Sequence, residues 1–460
     1  SLSLFARGQE RLSDIGYTHT RHRAWTLTTL SHNTVTVDGQ DQFMGSKEAP
    51  SDGALRLFVP GDDDLLAAVE AGGERAYPGL VDVYRRMLLL VGADDDGYVV
   101  DLFHVVGGSR HEYVLLGDAD HEGALTHDLA TQPYGAMLLP EGVSVNWPTG
   151  ESVPGAAEGH NLGYAYISDV QQVSLDGPWQ ATFTSGAPVV GGVRVHGVGA
   201  AMQPVPGHGD VLFTARAPSI RQALEDDAAL AQYDLPMLVL RRDATPGATL
   251  ASTFVSVLES YGAAGPFIDR VERLSVETTG GEGVAVRVHW GERTDVLLIG
   301  SAPEMTMQTN GVRLQGRLGF VRMRGDVVEQ MRLLGGTSLR VGGHELQGHG
   351  VVRGRVMATQ RREAGQAADA LVTDLPLASL PVVTGLWAIV IDGAGFHHGH
   401  QIIGATAADD GGAVLQLAED PGYDVTVDGG RQVYFPGRRW QGETAIEITT
   451  LASWSTDAVH

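Results

Sequence analysis

A short segment near the start of the chain concentrates the side chains that can do chemistry. Residues 12–42 contain Asp14, Tyr17, Arg21, His22, Arg23 and His32. The chain has 17 histidines in 460 residues, so three of them within residues 19–32 is a high local density. Carboxylate, imidazole, phenol and guanidinium groups are those that enzymes use to transfer protons and to bind anions. This segment is therefore the first candidate for a functional site.

A strand is expected to position the end of this segment. Residues 34–37 read Thr-Val-Thr-Val, a β-branched run in which apolar and hydroxyl side chains alternate. Asp38-Gly39 follows directly, and this dipeptide predicts a tight turn. His32 and Asn33 are therefore expected at the start of a strand, where side chains of neighbouring segments converge.

The residues alone allow two interpretations of Asp14 and His32. A carboxylate oxygen and an imidazole nitrogen can share a zinc ion, which takes nitrogen and oxygen ligands in tetrahedral geometry. Alternatively, Asp14 caps the turn before Gly16, and His32 is a hydrogen-bonded histidine at a strand end. Two ligands do not complete a zinc site, so the pattern leaves both interpretations open.

Composition and turn signals indicate an all-β chain. The sequence has 61 glycines, nearly double the usual share of about 7%, and they are scattered between short apolar runs. We expect a large antiparallel, supersandwich-like β-sandwich over residues 1–262. A second β-sheet domain over 263–375 and a small C-terminal β domain over 376–460 should follow. One helix is predicted over residues 219–233, capped by Ser219 and with Ile220, Leu224, Ala228 and Ala231 on one face.

The charge balance narrows the class of partner. The formal net charge is −24, which argues against binding to nucleic acid. Residues 1–37 are a local exception, with four arginines against two carboxylates, and could face an acidic glycan. No run of about 20 apolar residues predicts a membrane span, and the absence of cysteine excludes disulfides and thiolate metal sites. The oligomeric state is not indicated.

Three further patterns have simpler explanations. The triplet Asp94–Asp96 lacks the spacing of a calcium loop and is interpreted as a hydrated turn. The phrase at residues 396–400, Phe-His-His-Gly-His, is predicted to be a surface turn rather than a metal site. Large aromatic side chains are candidates for stacking on sugar rings but are more often core residues; they are Trp25, Tyr77 and Trp147.

Several phrases resemble one enzyme family when they are taken in order. They are Leu2-Ser3-Leu4, residues 12–17 (Leu-Ser-Asp-Ile-Gly-Tyr), residues 31–35 (Ser-His-Asn-Thr-Val) and Val37-Asp38-Gly39 with Gln42. Residues 98–113 and 254–259 add supporting phrases. Together they are similar to the C-terminal half of the heparinase II/III-like polysaccharide lyases, closely over residues 1–260 and more loosely beyond.

The resemblance implies a two-part enzyme in which a helical toroid precedes stacked antiparallel sheets, with the active site in the crevice between them. It implies that the toroid and a His-x-His-x-Asp phrase lie before Ser1, and that a histidine of that phrase joins Asp14 and His32 around zinc. It also implies β-elimination of a uronate-containing polysaccharide or oligosaccharide. Tyr17 would then be catalytic, Arg21, His22 and Arg23 would bind substrate, and the protein would be periplasmic or secreted.

Two rival functions remain open at this stage. An all-β carbohydrate-binding or scaffold module would need no metal and no chemistry. A glycoside hydrolase would need two converging carboxylates, for which Asp14 and Asp38 are the candidates in this segment. The lyase interpretation predicts that this chain, as one wall of a site, is inactive by itself.

Overall fold

The computed structural model describes residues 1–42, 53–61, 65–93, 96–139, 163–186, 188–199, 209–224, 226, 228–409 and 411–456. Its regular structure is almost entirely antiparallel strands. The single α-helix among the described residues is α1 (Arg23–Thr26), with 3₁₀ turns at Thr29–Ser31, Glu74–Ala76, Gly163–Tyr166, Leu230–Gln232, Arg362–Ala364 and Leu377–Ser379. The expected all-β class is confirmed.

The strands of the first part of the chain are β1 (Leu4–Ala6), β2 (Gln9–Leu12), β3 (Val35–Val37), β4 (Ala54–Val59), β5 (Leu66–Gly72), β6 (Val81–Ala93), β7 (Asp96–Gly107), β8 (Arg110–Leu116), β9 (Gly123–Thr126), β10 (Gln132–Met137), β11 (Ser168–Leu175), β12 (Trp179–Ser185), β13 (Gly192–Gly197), β14 (Asp210–Pro218), β15 (Asp234–Asp243) and β16 (Ala251–Tyr261).

The strands of the remaining chain are β17 (Arg270–Leu274), β18 (Glu277–Thr279), β19 (Gly283–Trp290), β20 (Arg293–Gly300), β21 (Thr306–Thr309), β22 (Val312–Arg324), β23 (Val327–Val341), β24 (His344–Gln347), β25 (Val351–Gln360), β26 (Ala370–Thr373), β27 (Trp387–Ile391), β28 (His397–Ala407), β29 (Ala413–Leu417), β30 (Tyr423–Thr426), β31 (Gly429–Gln432), β32 (Arg439–Gln441), β33 (Thr444–Thr449) and β34 (Leu451–Ser455).

The chain divides into two compact units. The first comprises residues 1–52 and 72–267, and the second comprises residues 53–71 and 268–460. In the first unit one sheet has the order β10-β11-β14-β15-β8-β3, and strands of a second sheet follow the order β6-β7-β16-β13-β12-β9. The division into three domains remains a prediction.

The sheet containing β8 and β15 is buried on both faces. Along β8, Tyr113 and Leu115 point into a core shared with the second sheet of this unit, whereas Val114 and Leu116 point to the opposite side. The face of the sheet that carries Val114 and Leu116 is covered by the segment after β2, and Trp25 is among the residues packed there. Strands buried on both faces are continuously apolar, which explains the unbroken Val-Leu-Leu run at the end of β8. This second core holds the functional segment on the sheet.

The second unit contains a sheet, a closed barrel and a small three-stranded sheet. The sheet includes the order β17-β19-β20-β22-β21-β18, and β23 pairs with β22, β24 and β34. The barrel closes in the order β25-β26-β29-β28-β27-β33, and the three-stranded sheet has the order β30-β31-β32. No helix in the described part of the chain is long and apolar enough to cross a bilayer.

The helix predicted over residues 219–233 is wrong. Turns follow Ser219, and the regular element here is the 3₁₀ turn Leu230–Gln232. Leu224, which the prediction placed on the buried face, is exposed and has a positive φ of 50°. A left-handed residue ends any helical run at that point, because the left-handed conformation interrupts the ladder of hydrogen bonds. The apolar spacing alone did not reveal this break.

The surface turn predicted at residues 396–400 is also wrong, because His397 begins β28. His398 and His400 lie two residues apart, so both side chains point to one face of the strand, where both rings contact Tyr423. His400 is buried and its Nε2 lies 2.9 Å from the hydroxyl oxygen of Tyr423. The described residues include no group of three or more ligating side chains placed to hold a metal ion. The phrase is therefore part of a strand, with His400 in the core.

A buried ion pair in the first unit gives a direct test of this fold. Arg86 Nε donates to Asp101 Oδ1 at 2.8 Å, and the Tyr113 hydroxyl donates to Asp101 Oδ2 at 2.7 Å. Asp101→Asn should lower the free energy of unfolding by about 3–5 kcal/mol, because it leaves the buried Arg86 charge uncompensated. Urea denaturation followed by tryptophan fluorescence would measure the change.

The matched control lies on the same strand. Asp96 of β7 pairs with Arg7 at 2.9 Å in a solvent-exposed position. Asp96→Asn should change stability by at most about 1 kcal/mol, because water screens the exposed pair. Equal effects of the two substitutions would contradict the burial of Asp101.

Candidate functional site

Asp14 and His32 converge on the outer side of the doubly buried sheet. His32 Nδ1 lies 2.9 Å from Asp14 Oδ1, and the backbone N–H of Gly16 donates to the same oxygen at 3.2 Å. Burial opposes ionisation of Asp14, but the hydrogen bonds from His32, Ser1 and Gly16 outweigh it and lower the pKa of this carboxyl. Asp14 is therefore an anion that orients the imidazole.

Both nitrogens of His32 face acceptors. Nε2 lies 3.2 Å from the carbonyl oxygen of Thr26, at the end of α1, while Nδ1 faces the Asp14 carboxylate. Since both partners accept, both hydrogen bonds form together only when each ring nitrogen carries a hydrogen. The two contacts fix the plane of the ring.

The chemistry of the two donors suits zinc, but their number and geometry do not complete a site. Two tetrahedral ligands at about 2.0–2.1 Å from zinc lie roughly 3.3 Å apart, whereas Asp14 and His32 are in direct hydrogen-bond contact at 2.9 Å. Within the described residues no third ligand joins them. Metal binding would require the pair to open and another part of the protein to supply further ligands.

A cationic and aromatic surface lies on the same segment. The guanidinium of Arg23, at the start of α1, lies 4.6 Å from the ring centroid of Tyr17. Tyr17 is 52% exposed, and its ring also meets the ring of His19 edge-on at 5.0 Å. Arg21 is exposed and His22 and Arg23 are half-buried. The predicted substrate-binding and catalytic residues are thus accessible side chains of one short loop and helix.

Tyr166 belongs to this surface and was not predicted from the sequence. Its ring lies 5.6 Å from that of His22 and 5.8 Å from that of Trp25. Burial raises the pKa of Tyr166, with nearby Arg21 acting in the opposite direction, so the phenol keeps its proton at neutral pH. The residue lies 143 positions beyond Arg23 in the chain, and no local motif marks it.

The 3₁₀ turn Gly163–Tyr166 holds Tyr166 in place. The hydroxyl of Tyr164 in the same turn donates to the buried carboxylate of Glu112 on β8, which also accepts from Arg241 Nε at 2.7 Å. Tyr164 is fully buried in the core that contains Trp25. The turn is therefore anchored to the sheet that carries the rest of the site.

None of the three aromatic residues predicted as candidates for stacking on sugar rings lies on the described surface. Trp25 and Tyr77 are buried, so neither ring face is available to a sugar. Trp147 lies outside the described residues, as does the acidic pair Asp94 and Asp95. Asp38 does not take part in the Asp14 cluster. Its Oδ1 accepts from the backbone N–H groups of Ser109 and Arg110 at 2.7 and 2.8 Å. It caps a turn and is not paired with another carboxylate.

The lowered pKa of Asp14 predicts a pH-dependent contribution to stability. A carboxyl whose folded pKa lies below its unfolded value of about 3.9 stabilises the fold above that value and loses the contribution as pH falls through the folded value. Asp14→Asn should therefore destabilise the protein at pH 6–7, and the difference from the wild type should shrink below about pH 4. Urea midpoints measured from pH 7 downward would show this. A difference that grows on acidification would contradict the assigned sign.

One family model matches the beginning of the chain. Residues 1–145 match the family model described as Heparinase II/III-like, C-terminal. No curated protein sequence matches the chain. Among solved structures, the heparan sulfate lyase HepC from Pedobacter heparinus aligns with a TM-score of 0.37 and 10% identity over 65% of this chain and 36% of its own.

Two further solved structures give similar values. The heparinase III-BT4657 gene product aligns with a TM-score of 0.34 and 11% identity over 70% of this chain and 35% of its own. A heparinase III aligns with a TM-score of 0.34 and 12% identity over 64% of this chain and 34% of its own. The chain thus spans little more than a third of the length of these proteins. The region that matches the family model, residues 1–145, includes Asp14, Tyr17 and His32.

Proposed function

We propose that this chain forms one wall of the active site of a polysaccharide lyase that cleaves uronate-containing glycans by β-elimination. The observation that carries the proposal is the exposed Tyr17 with the Arg23 guanidinium 4.6 Å from its ring, inside the region that matches the lyase family. A phenol for proton transfer and a cation for a carboxylate are what this reaction requires at neighbouring positions.

The reaction explains why these groups are needed. A base removes the proton from the ring carbon that bears the carboxylate. The electron pair of that C–H bond becomes a C=C bond to the neighbouring carbon, and the glycosidic C–O bond of that neighbour breaks. The departing oxygen takes a proton from an acid. Negative charge builds up on the uronate carboxylate before the C–O bond breaks, so a cation placed there lowers the barrier.

Each residue receives a role from its position. Arg21 precedes α1 and Arg23 begins it, on either side of His22 in the chain, and both are proposed to bind the uronate carboxylate or a sulfate. The Tyr17 hydroxyl is proposed to exchange a proton with the substrate. Tyr166 is proposed to orient His22 through its ring contact.

A zinc ion is proposed as a brace behind this wall. Asp14 and His32 would supply one oxygen and one nitrogen ligand, and a helical toroid in the complete protein would supply the rest. When bound, zinc would provide a fixed positive charge and tie the two parts of the enzyme together. The hydrogen-bonded pair present in this chain supports the proposal through its donor types, and it needs only a small opening.

The hydrolase rival receives no support from the carboxylates that motivated it. Asp14 accepts from His32, and Asp38 accepts from the Ser109–Arg110 turn. Glycoside hydrolysis requires two carboxyl groups that face one bond. The lyase is therefore the function that this site supports best.

The role of Tyr17 can be tested in the complete protein, including any toroid. Tyr17→Phe removes only the hydroxyl and should lower kcat about 10²-fold to 10⁴-fold, the usual contribution of a positioned proton donor. Release of unsaturated uronate ends, followed by ultraviolet absorbance, measures the rate. Tyr233→Phe, which alters another partly exposed tyrosine of the same unit, should leave kcat unchanged. Full activity of Tyr17→Phe would remove Tyr17 from the chemistry.

The zinc proposal has a separate readout that does not depend on turnover. Elemental analysis of the complete protein should give about one zinc per chain, and Asp14→Ala should lower zinc affinity by tenfold or more because a ligand is lost. Asp120→Ala, which removes an exposed carboxylate that pairs with Arg221, serves as the control and should retain the metal. Equal zinc content in the wild type and Asp14→Ala would overturn the ligand assignment.

A further inference from the structure

The small sheet β30-β31-β32 of the second unit presents an aromatic side chain directly to solvent. Phe435, in the loop between β31 and β32, is 99% exposed. A single exposed apolar side chain needs no explanation, whereas adjacent ones are typical of a binding surface. The neighbouring Val433 and Tyr434 are also exposed.

The loop that carries Phe435 is held rigidly on both sides. The hydroxyl of Tyr434 donates to Glu363 at 2.6 Å and lies 3.1 Å from both Asp420 Oδ2 and Arg361 Nη2. On the other side, Arg438 stacks on the ring of Phe396, with the guanidinium carbon 3.4 Å from the ring centroid.

Backbone hydrogen bonds close the same loop. Gly437 N–H donates to the Tyr434 carbonyl at 2.8 Å, and Gln432 N–H donates to the Arg438 carbonyl at 2.8 Å. These hydrogen bonds hold the backbone that carries Phe435 in place. Little conformational entropy is then lost when a ligand stacks on Phe435.

Two arginines lie on the solvent face of the sheet beside this loop. Arg431 and Arg439 are directly opposite each other in the register of β31 and β32. The opposite face carries the buried Tyr423 and Trp440, so both arginines point away from the core. Like charges in this position repel each other, and an anion between them relieves the repulsion.

Of these two arginines, Arg431 forms an ion pair with a carboxylate. Asp424 of β30 lies opposite Arg431 and accepts from its Nη2 at 2.9 Å. Arg439 makes no ion pair with any carboxylate in the described part of the chain. The net charge of the chain is −24, yet the described residues give Arg439 no carboxylate partner beside the exposed phenyl ring.

We propose that this surface, formed by Phe435, Arg431 and Arg439, is an accessory binding site for an acidic glycan. A sugar ring would stack on Phe435, and a carboxylate or sulfate of the same chain would bind the arginine pair. The choice of an acidic rather than a neutral glycan rests on the proposed lyase function. The surface itself lies in the second unit and takes no part in the chemistry assigned to Tyr17.

The test uses the 460-residue chain in native gels that contain alginate, heparan sulfate or dextran. At least one of the two acidic polymers should retard the protein, and the neutral dextran should not. Phe435→Ala and Arg439→Ala should each weaken the apparent Kd by tenfold or more, whereas Phe435→Trp should preserve it because the larger ring also stacks. Retardation should decrease with added salt, since the arginine contacts are exposed.

Two control variants match the substitutions in the same unit. Val382→Ala removes another side chain that is 87% exposed. Arg313→Ala removes an exposed strand arginine that lies opposite Arg340, which itself pairs with Glu345 at 2.8 Å. This arrangement repeats that of Arg439, Arg431 and Asp424 without an adjacent aromatic loop. Both controls should bind as the wild type does.

Several outcomes would overturn the inference. They are the absence of retardation by both acidic polymers, binding that survives Phe435→Ala, and equal losses in Arg313→Ala and Arg439→Ala. Dextran retardation that depends on Phe435 would overturn the assignment to acidic glycans. Binding lost only in Arg23→Ala would place the glycan at the candidate active site alone. A different result would separate the two proposals. If the complete protein binds glycan through Phe435 but has no elimination activity, the proposed lyase function is refuted and the accessory site is retained.

Discussion

The side-chain amide of Asn33 is the interaction on which the arrangement of the site depends. Its Nδ2 donates to the carbonyl oxygens of Leu2 and Ser13 at 2.7 and 3.0 Å, and its Oδ1 accepts from the backbone N–H of Leu116 at 2.6 Å. Asn33 is completely buried. One side chain thus joins the chain before β1, the start of the functional segment and the end of β8. Any apolar substitute would leave three backbone groups without partners in the core.

Burial makes this connection specific. Arg86 Nη1 donates to the carbonyl oxygen of Asn33, and the same guanidinium is neutralised by Asp101. Because a buried charge or amide is costly unless each partner is in place, the network tolerates one arrangement of the strands and the segment. His32 precedes Asn33 directly, so its ring is positioned against Asp14 by the same constraint. The site is preorganised by the sheet and does not depend on its own weak surface contacts.

Much of this organisation could be predicted from local patterns. The alternation at residues 34–37 predicted β3, and the glycines scattered between short apolar runs predicted the all-β class. The convergence of Asp14 and His32 followed from the motif they share with a known family. The strand pattern is local in the chain, and the motif is recognised by its residues and their spacing. Both can therefore be identified without knowledge of the tertiary contacts.

The failures have a common physical cause, which is that tertiary context decides the outcome. Tyr166 joins the site through a turn anchored by Glu112, a contact between distant residues. The apolar residues from Ile220 to Ala231 fit a helical face, but the left-handed Leu224 breaks it. His398 and His400 fit a polar turn by composition, whereas the strand period turns both towards Tyr423. Asn33 was recognised as part of a motif, and its role as a buried clamp became evident only from its three partners.

The central claim is that the complete protein cleaves its substrate by β-elimination. The most direct test follows the hydrogen on the uronate ring carbon that bears the carboxylate. A substrate deuterated at that carbon should be cleaved by the complete protein with a slowed rate, and its deuterium should be lost to solvent as each unsaturated end forms. Both results follow if breaking this C–H bond belongs to the reaction, as β-elimination requires. Cleavage that retains the deuterium and leaves saturated ends would contradict the account and assign the wall formed by Asp14, Tyr17, Arg23 and His32 to a different chemistry.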